Sequence, residues 1–205
     1  MLAADKHVVA APLTQLSEEE SMFQASVRRF AAERLAPHVR SMDDAGIFRK
    51  ELLTELFDLG LMAVDVPEEY GGQGGSFFQA ILAIEELAKV DPSASVIVDV
   101  QNTLFNNALV RWGNNDQRMR WLPRAAKDAV ASYALSEAGS GSDAFALTTR
   151  ALEAGDEYRL TGHKLWITNA AEASLFLLFA TVNPVQVLDR GGELAVVLAR
   201  GSLLQ

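Results

Sequence analysis

The 205-residue chain is 49% hydrophobic and 22% charged, a composition that suits a soluble globular protein with one large domain or two small ones. Its 18 basic and 27 acidic residues give a net charge of -9 without a concentrated basic patch, so neither nucleic acid nor an anionic membrane is an expected partner. The lack of cysteine excludes disulfides and thiolate chemistry, and no apolar run approaches the roughly 20 residues of a membrane-spanning helix. A cytoplasmic protein is the simplest expectation.

The first half of the chain has helical periodicity. Ser17 and Glu20 have capping-box spacing, which predicts a helix that starts there and is interrupted by Pro37. A second amphipathic helix is predicted over 52–57, before a left-handed cap at Gly60. A third helix is predicted over 77–90 and is expected to be mostly buried through an apolar stripe. The stripe consists of Phe77, Ile81, Ile84 and Ala88, with Phe78 and Leu82 adjacent to it.

Two further helices complete this half. Asp91 followed by Pro92 predicts the start of a helix that continues to Gly113. A short helix is predicted after Asn115 and should end at Pro123.

After about Ala129 the pattern changes to short β-rich runs separated by turn residues, among them Gly155 and the pair Gly191-Gly192. The runs are SYALS, LTTRAL, EYRLTG, LWIT, LFLLFATV and LAVVLAR. We therefore predict an α+β protein with an all-α helical domain over 1–129, followed by an incomplete antiparallel β-barrel over 130–205.

The glycine-serine loop SEAGSGSDAF joins the first two of these runs. Gly139, Gly141 and Ala144 match a loose dinucleotide-binding pattern, but a hairpin rather than a helix follows, so a Rossmann site is not expected. A Walker loop is expected even less, because no Gly-Lys-Ser/Thr follows the glycines. Two interpretations remain: a structural turn capped by serines, or a loop whose backbone approaches an anion or a flavin edge.

A second segment, GHKLWITNAAEA, favours the flavin interpretation. Trp166 is expected at the end of a strand, where an indole can cover a planar ring system. The Thr168 hydroxyl would lie on the same side of that strand and could donate a hydrogen bond to the ring. A core tryptophan and an ordinary strand threonine would explain the segment equally well on its own.

YALSEAGSGSD followed by GHKLWITNA resembles the paired signature of the acyl-CoA dehydrogenases, flavoenzymes that oxidise acyl-CoA thioesters to 2-enoyl-CoA. VPEEYGGQGG, AIEELAKVDPSASV, QNTL and GNNDQRMRWLP match the helical domain of that family in order and spacing. IEELAKVD, QNTL and SDAFALTTRA look most like the short/branched-chain subgroup. Nearly the whole chain is covered by the resemblance.

The resemblance implies FAD as cofactor and an acyl-CoA as substrate, with Ser142 placed where the two meet. Trp166 would pack against the flavin, Thr168 would donate to N5, and backbone groups of the loop would face the ring's pyrimidine edge. The cofactor-binding residues implied in this way are Tyr133, Leu135, Ser136, Gly141, Ser142, Trp166, Ile167 and Thr168. For the complete enzyme it also implies a homo-oligomer, an electron-transfer flavoprotein as acceptor and, in a eukaryote, the mitochondrial matrix.

The family's base is a glutamate in a C-terminal helical domain, which we expect beyond Gln205, so this chain is expected to be an N-terminal portion without a catalytic residue. Glu85 and Glu86 look like helix-surface charges and Glu137 belongs to the loop, so none is expected to replace that base. The alternative is a non-catalytic protein of this family that binds FAD or acyl-CoA or contacts another subunit.

Other polar residues carry weaker signals. The histidines at 7, 38 and 163 lack metal-ligand spacing, so no metal site is expected and His163 is predicted to lie on the surface. Asp99 and Gln101 either line an acyl pocket, by analogy with the family, or occupy the solvent-facing side of a helix.

Overall fold

The computed structural model describes residues 15–155 and 157–182, together with the backbone of 194–200. The predicted turn at Gly191-Gly192 lies outside the described residues, as do His7 and Gln205. Within the described part, helices come first and a five-stranded sheet follows. The α-helices are α1 (Glu18–Phe30), α2 (Val39–Ala45), α3 (Lys50–Asp58), α4 (Phe77–Ala88), α5 (Pro92–Asp99), α6 (Asn107–Trp112) and α7 (Asn115–Lys127). The strands are β1 (Ala131–Ala134), β2 (Arg150–Ala154), β3 (Glu157–Thr161), β4 (Leu175–Thr181) and β5 (Leu194–Arg200).

The predicted helix starts are confirmed by their caps. At α1 the Ser17 hydroxyl accepts from the Glu20 amide at 3.2 Å, and the Glu20 carboxylate accepts from the Ser17 amide at 2.8 Å. At α5 the Asp91 carboxylate accepts from the Ser93 amide at 2.8 Å, with Pro92 in the first helical position. Each cap satisfies amides that would otherwise lack a partner at a helix start.

Pro37 and Pro123 interrupt the helices less than the sequence predicts. The chain around Pro37 stays helical, since α1 passes through a π-helical turn over 31–35 and a 3₁₀ turn over 36–38 before α2 begins. The prediction that the last helix ends at Pro123 is wrong, because α7 continues to Lys127 with Pro123 inside it. Burial of Leu122 and Ala125 on both sides of the proline compensates for the hydrogen bond that it removes.

The buried face of α4 differs from the predicted stripe. Phe77 and Ile81 are 42% and 39% exposed, whereas Ala80, Ala83 and Leu87 are fully buried. Ala83 and Leu87 belong to the core that α4 shares with α1 and α5. Small side chains on this face allow the helices to approach closely, which the wider apolar pattern did not reveal.

The sheet is open, in agreement with the predicted incomplete barrel, but it is mixed, so the prediction that it is antiparallel throughout is wrong. β2 and β3 form an antiparallel hairpin and β4 pairs antiparallel with β5, but β1 lies parallel to β4 and β2 adds one parallel bridge to it. The parallel pairing of β1 with β4 is possible because residues 135–174 connect them, long enough to bring the chain back in the same direction. This connection contains both segments of the candidate site.

The helical part and the sheet share a core. Phe105 and Leu122 from the helices pack in one buried cluster with Ala131, Leu175 and Leu177 from β1 and β4. A second, smaller cluster on the other face of β1 contains Ala134, Ala151, Leu178 and Ala180. The connection from α7 to β1 is therefore part of a packed junction.

Candidate functional site

The loop after β1 and the segment after β3, predicted separately from the sequence, lie side by side in the structure. The Leu165 amide donates to the Ser136 carbonyl at 2.9 Å. The Lys164 ammonium donates to the Leu135 carbonyl at 2.8 Å. At the other end of the segment, the Ser132 hydroxyl donates to the Thr168 carbonyl at 2.7 Å. Backbone and side-chain hydrogen bonds thus hold residues 164–168 against the end of β1 and the start of the loop.

The loop contains a tight turn. Glu137 and Ser140 exchange two backbone hydrogen bonds of 3.0 and 3.1 Å, and the Ser140 hydroxyl donates to the Asp143 carbonyl at 2.9 Å. A side chain placed at Gly139 or Gly141 would enter open space, so the backbone of both glycines is accessible from outside. Residues 144–146 form a single 3₁₀ turn before the β2–β3 hairpin, so the loop does not open a helix as a Rossmann loop must.

Trp166 has an unusual conformation. Residues 162–168 are irregular, so the prediction of a strand at LWIT is wrong, and with it the argument that Trp166 and Thr168 share one side of a strand. Trp166 has a φ of 58° and is 93% exposed. A bulky residue in the left-handed region costs roughly 1–3 kcal/mol, and the structure gives this indole little burial in return.

The turn that follows Trp166 is anchored to β1. Asn169 also has a positive φ, of 65°, and its side-chain amide donates to the Ala131 carbonyl at 3.1 Å. Its own carbonyl accepts from the Glu172 and Ala173 amides at 3.1 and 2.8 Å. The exposed indole therefore has hydrogen-bonded residues on both sides of it in the chain.

The remaining predicted residues divide between the two faces of β1. Ile167 packs on the smaller cluster with Ala134, while Thr168 is half-buried. The Tyr133 ring lies on the opposite face, since neighbouring strand residues alternate and the Ser132 hydroxyl contacts the Thr168 carbonyl. It contacts Phe179 with ring centroids 4.9 Å apart, and burial raises the pKa of its hydroxyl.

The Tyr133 ring also lines an apolar cavity between the sheet and the helices. The cavity has a volume of about 490 Å³ and lies against α6 and the start of α7. Its lining residues are Ala108, Leu109, Trp112, Gly113, Gln117, Tyr133, Leu177 and Phe179. The side chain of Tyr133 thus points to this cavity, whereas Leu135, Ser136 and residues 164–168 are brought together.

Glu137 is the main charged group of the loop. Its carboxylate accepts from the Lys164 ammonium at 2.8 Å, from the Thr148 amide and hydroxyl at 2.6 and 2.8 Å, and from the Thr149 amide at 3.0 Å. The side chains of both ion-pair partners are buried, with exposures of 4% for Glu137 and 7% for Lys164. Burial favours the neutral acid, but the hydrogen bonds outweigh it and lower the pKa of Glu137 to about 2.

Glu86 differs from its prediction as a surface charge. Its side chain is 1% exposed and accepts from the Arg28 guanidinium at 2.9 and 3.0 Å and from Lys89 at 2.7 Å. The hydrogen bonds from Arg28 are the largest cause of a pKa of about 2, and that from Lys89 adds to it. Glu86 and Glu137 are thus stable carboxylates held by fixed donors, which is unfavourable for a general base near pH 7.

Two polar residues organise this region in a way that the sequence did not predict. Gln101 is completely buried, so its solvent-facing interpretation is wrong. Its amide donates to the Ala125 and Ala129 carbonyls, and its oxygen accepts from the Ala131 amide. Lys164 has the same organising role where the loop meets residues 164–168. A lysine directly before the apolar residues Leu165 and Trp166 was the available signal, but its partner Glu137 is distant in the sequence. Asp99 accepts from the Thr103 hydroxyl at 2.7 Å.

Two features are absent from the part of the chain that the structure describes. Among the described residues, no helix is long and apolar enough to cross a membrane. No group of three or more potential metal ligands occurs in the same part of the chain. His163 is exposed, as predicted.

Comparison with known proteins identifies the family of this chain. Residues 17–129 match the model for the acyl-CoA dehydrogenase N-terminal domain, and residues 132–202 match the model for the middle domain of the same family. The chain belongs to the acyl-CoA dehydrogenase family. The predicted boundary at 129/130 falls between the two matched ranges and stays a prediction.

Within the acyl-CoA dehydrogenases, the similar curated relatives include short/branched-chain enzymes. A probable short/branched chain specific acyl-CoA dehydrogenase from Dictyostelium discoideum is 51% identical over 85% of this chain and 43% of its own length. The mitochondrial short/branched chain specific enzyme of Rattus norvegicus is 44% identical over 85% of this chain and 40% of its own length. The chain thus spans less than half the length of these relatives.

Solved structures with the same fold include two with about 30% sequence identity to this chain. A structure described as the electron transferring flavoprotein of Acidaminococcus fermentans matches with a TM-score of 0.85 at 31% identity, over 91% of this chain and 49% of that one. A glutaryl-CoA dehydrogenase from Mycobacterium smegmatis in complex with FADH2 matches with a TM-score of 0.80 at 30% identity, over 90% of this chain and 46% of that one.

Proposed function

We propose that this chain supplies a flavin-binding surface of an acyl-CoA dehydrogenase that acts on short or branched acyl-CoA thioesters. The proposal rests on the contact between the loop and residues 164–168. A protein of this family is expected to bind FAD with these two segments. The Dictyostelium and rat relatives support the short/branched-chain substrate class.

The described residues fit a flavin. An isoalloxazine needs an accessible aromatic surface and hydrogen-bond donors at its polar edge. Trp166 provides an exposed indole, and the half-buried Ser136 and Thr168 carry hydroxyls. Gly141 and Ser142 are exposed, and open space beside Gly141 leaves room for a bulky ligand near the backbone. The Tyr133 side chain, by contrast, points to the other face of β1.

In this proposal each group has a defined task. Trp166 covers the ring, Thr168 and the backbone at Leu135 and Ser136 donate to its polar atoms, and Ile167 holds the segment on the sheet. Ser142 lies where the cofactor and the acyl-CoA meet. FAD, when bound, would accept the hydride that leaves the acyl chain. Glu86 and Glu137 keep structural tasks.

Further parts of the proposal concern the complete protein. We propose an electron-transfer flavoprotein as its electron acceptor, which the likeness to the Acidaminococcus structure supports. A homo-oligomer is proposed from the family resemblance. The rat relative's mitochondrial description supports the matrix as the location in a eukaryote, and the cytoplasm is proposed for a bacterium.

The test is retention of FAD by the 205-residue chain after free cofactor is removed by desalting, measured from the visible flavin absorption. Trp166→Ala and Thr168→Val should each lower the retained flavin. His163→Ala is the matched control, because this exposed residue lies in the same segment and should leave retention unchanged. Absence of a flavin band in the wild-type chain, or equal loss from all three variants, would contradict the assignment.

A further inference from the structure

Lys164 and Glu137 form a buried ion pair at the point where the two segments of the proposed site meet. The ammonium contacts the carboxylate and the Leu135 carbonyl at 2.8 Å each. Buried charges are retained at a high desolvation cost, and a well-packed apolar pair would often be equally stable. The position of this pair therefore calls for an explanation beyond overall stability.

The pair orients one backbone amide, the N–H of Ser136. The carbonyl of Leu135 and the N–H of Ser136 belong to the same planar trans peptide and point in opposite directions. Because Lys164 holds the Leu135 carbonyl toward itself, the Ser136 N–H is directed away from Lys164. A lysine at 164 thus orients an amide that the proposed site uses at the flavin edge.

A second consequence concerns the indole. Lys164 is two residues before Trp166, and the Leu165 amide between them is bound to the Ser136 carbonyl. Trp166 itself is 93% exposed and has a positive φ, so packing of its own side chain does little to hold it in place. The conformation of Trp166 depends on the anchors on both sides of it, of which the Lys164–Glu137 pair is the one before it in the chain.

The other contacts of Glu137 extend this arrangement across the loop. Its carboxylate also accepts from Thr148 and Thr149, at the far end of the loop just before β2. The single carboxylate therefore connects both ends of the loop to the segment that carries Trp166. Loss of the Glu137 charge would weaken all of these connections, whereas loss of the Lys164 charge would release the connection to the segment that carries Trp166.

We propose that the buried Lys164–Glu137 ion pair is the positioning element of the flavin site, which sets the direction of the Ser136 amide and the conformation of Trp166 before the cofactor binds. The inference rests on the proposed function for its purpose, but its structural part concerns the cofactor-free chain. Neither residue contacts the reacting atoms in this proposal, so both act through the groups that they hold.

The test combines two measurements on the full chain labelled with 5-fluorotryptophan. The ¹⁹F spectrum without cofactor reports the order of Trp166, with Trp112 and Trp121 as internal references, and an absorption titration gives the dissociation constant for FAD. Trp112→Phe and Trp166→Phe assign the resonances. Lys164→Met removes the charge with little change in length, Glu137→Gln removes its partner's charge, and Lys164→Arg keeps both the charge and the donors.

In Lys164→Met and Glu137→Gln we expect the Trp166 resonance to sharpen and to move toward its position in the urea-unfolded chain. We expect the FAD dissociation constant to rise at least about tenfold. Lys164→Arg should retain the wild-type resonance and affinity. Glu86→Gln is the matched control: it removes an equally buried carboxylate from the helical part and should leave both readouts unchanged.

An unchanged Trp166 resonance and FAD affinity in both charge-removing variants would overturn the inference, and so would equal effects from Glu86→Gln. If Lys164→Met does not fold, Glu137→Gln, which keeps an acceptor oxygen, decides the result. If the wild-type chain binds no FAD, the proposed function fails, and the Trp166 resonance in the cofactor-free variants still decides whether the pair positions this residue.

Discussion

The helical part and the loop pair, by which we mean the loop 136–145 together with residues 164–168, each contain a buried carboxylate in an ion pair, but the two carboxylates have different roles. Glu86 and Glu137 are both buried carboxylates with a pKa of about 2. Arg28 and Lys89 hold the first, and Lys164 holds the second. Glu86 connects α1 and α4, which already share a large apolar core, whereas the loop pair rests on a small cluster around Ala134 and Ala151. Where apolar burial is small, hydrogen bonds and ion pairs determine the arrangement. The helical part is therefore held mainly by packing and the loop pair mainly by polar contacts.

The greatest loss of stability is expected at the junction between the two regions. Gln101→Met keeps the size of the side chain but leaves two carbonyls and one amide without their partner. At about 1–3 kcal/mol for each unpaired buried group, we expect the free energy of unfolding to fall by roughly 4 kcal/mol. Urea unfolding followed by far-UV circular dichroism measures this change. Gln24→Met, in α1, is the control, and an equal loss in both variants would show that the junction is not special.

Acid should distinguish the two carboxylates. Because their folded pKa of about 2 lies below the ordinary value of 4.5, each carboxylate stabilises the fold above about pH 4.5, and this contribution is lost as the pH falls toward 2. The shift corresponds to roughly 3 kcal/mol for each group. We expect Glu86→Gln to flatten the dependence of the global unfolding free energy on pH over this range.

For Glu137→Gln we expect the acid-dependent change to appear mainly in local order. The protection factors of residues 135–149, which compare the measured amide exchange rate with that of the unstructured chain at the same pH, should fall at about pH 6 in this variant. We expect the same fall in the wild type near pH 3, where the carboxylate begins to be protonated. If Glu137→Gln leaves exchange in the loop unchanged, the loop is not held by this carboxylate.

A smaller effect is expected at the helix caps. Ser76→Ala removes the hydroxyl that accepts from the Gln79 amide at 3.1 Å at the start of α4. We expect a loss of about 1 kcal/mol in unfolding free energy, the usual value of such a cap. Thermal unfolding measures it, with Ser26→Ala at an exposed position in the middle of α1 as the control. A loss above that of the Gln101 variant would contradict the ranking of packing junction over cap.

The least change in stability is expected at the residue with the greatest proposed functional role. Trp166 is 93% exposed, so Trp166→Ala should change the unfolding free energy by less than about 0.5 kcal/mol. Urea unfolding checks this, beside Trp121→Ala, whose buried side chain should cost several kcal/mol, roughly 3–5 for a core position. A large loss at Trp166 would mean that the indole is part of the folding core.

The features that could be predicted from the sequence are those that depend on neighbouring residues in the chain. Capping and periodicity located α1 and α5, and the motif with Trp166 led to the segment that meets the loop. The sequence did not reveal features that depend on distant partners: Glu86 looked exposed because Arg28 lies on another helix, and the irregular backbone at Trp166 follows from contacts with the loop. The parallel placement of β1 on β4 is likewise a property of the long connection between them.

Whether the loop and residues 164–168 together bind a flavin can be measured by titrating the 5-fluorotryptophan-labelled chain with FAD. We predict a saturable shift of the Trp166 ¹⁹F resonance, while the buried Trp121 and the exposed Trp112 keep their positions. A Trp166 resonance that stays in place at saturating cofactor, or three resonances that move equally, would contradict the proposed site.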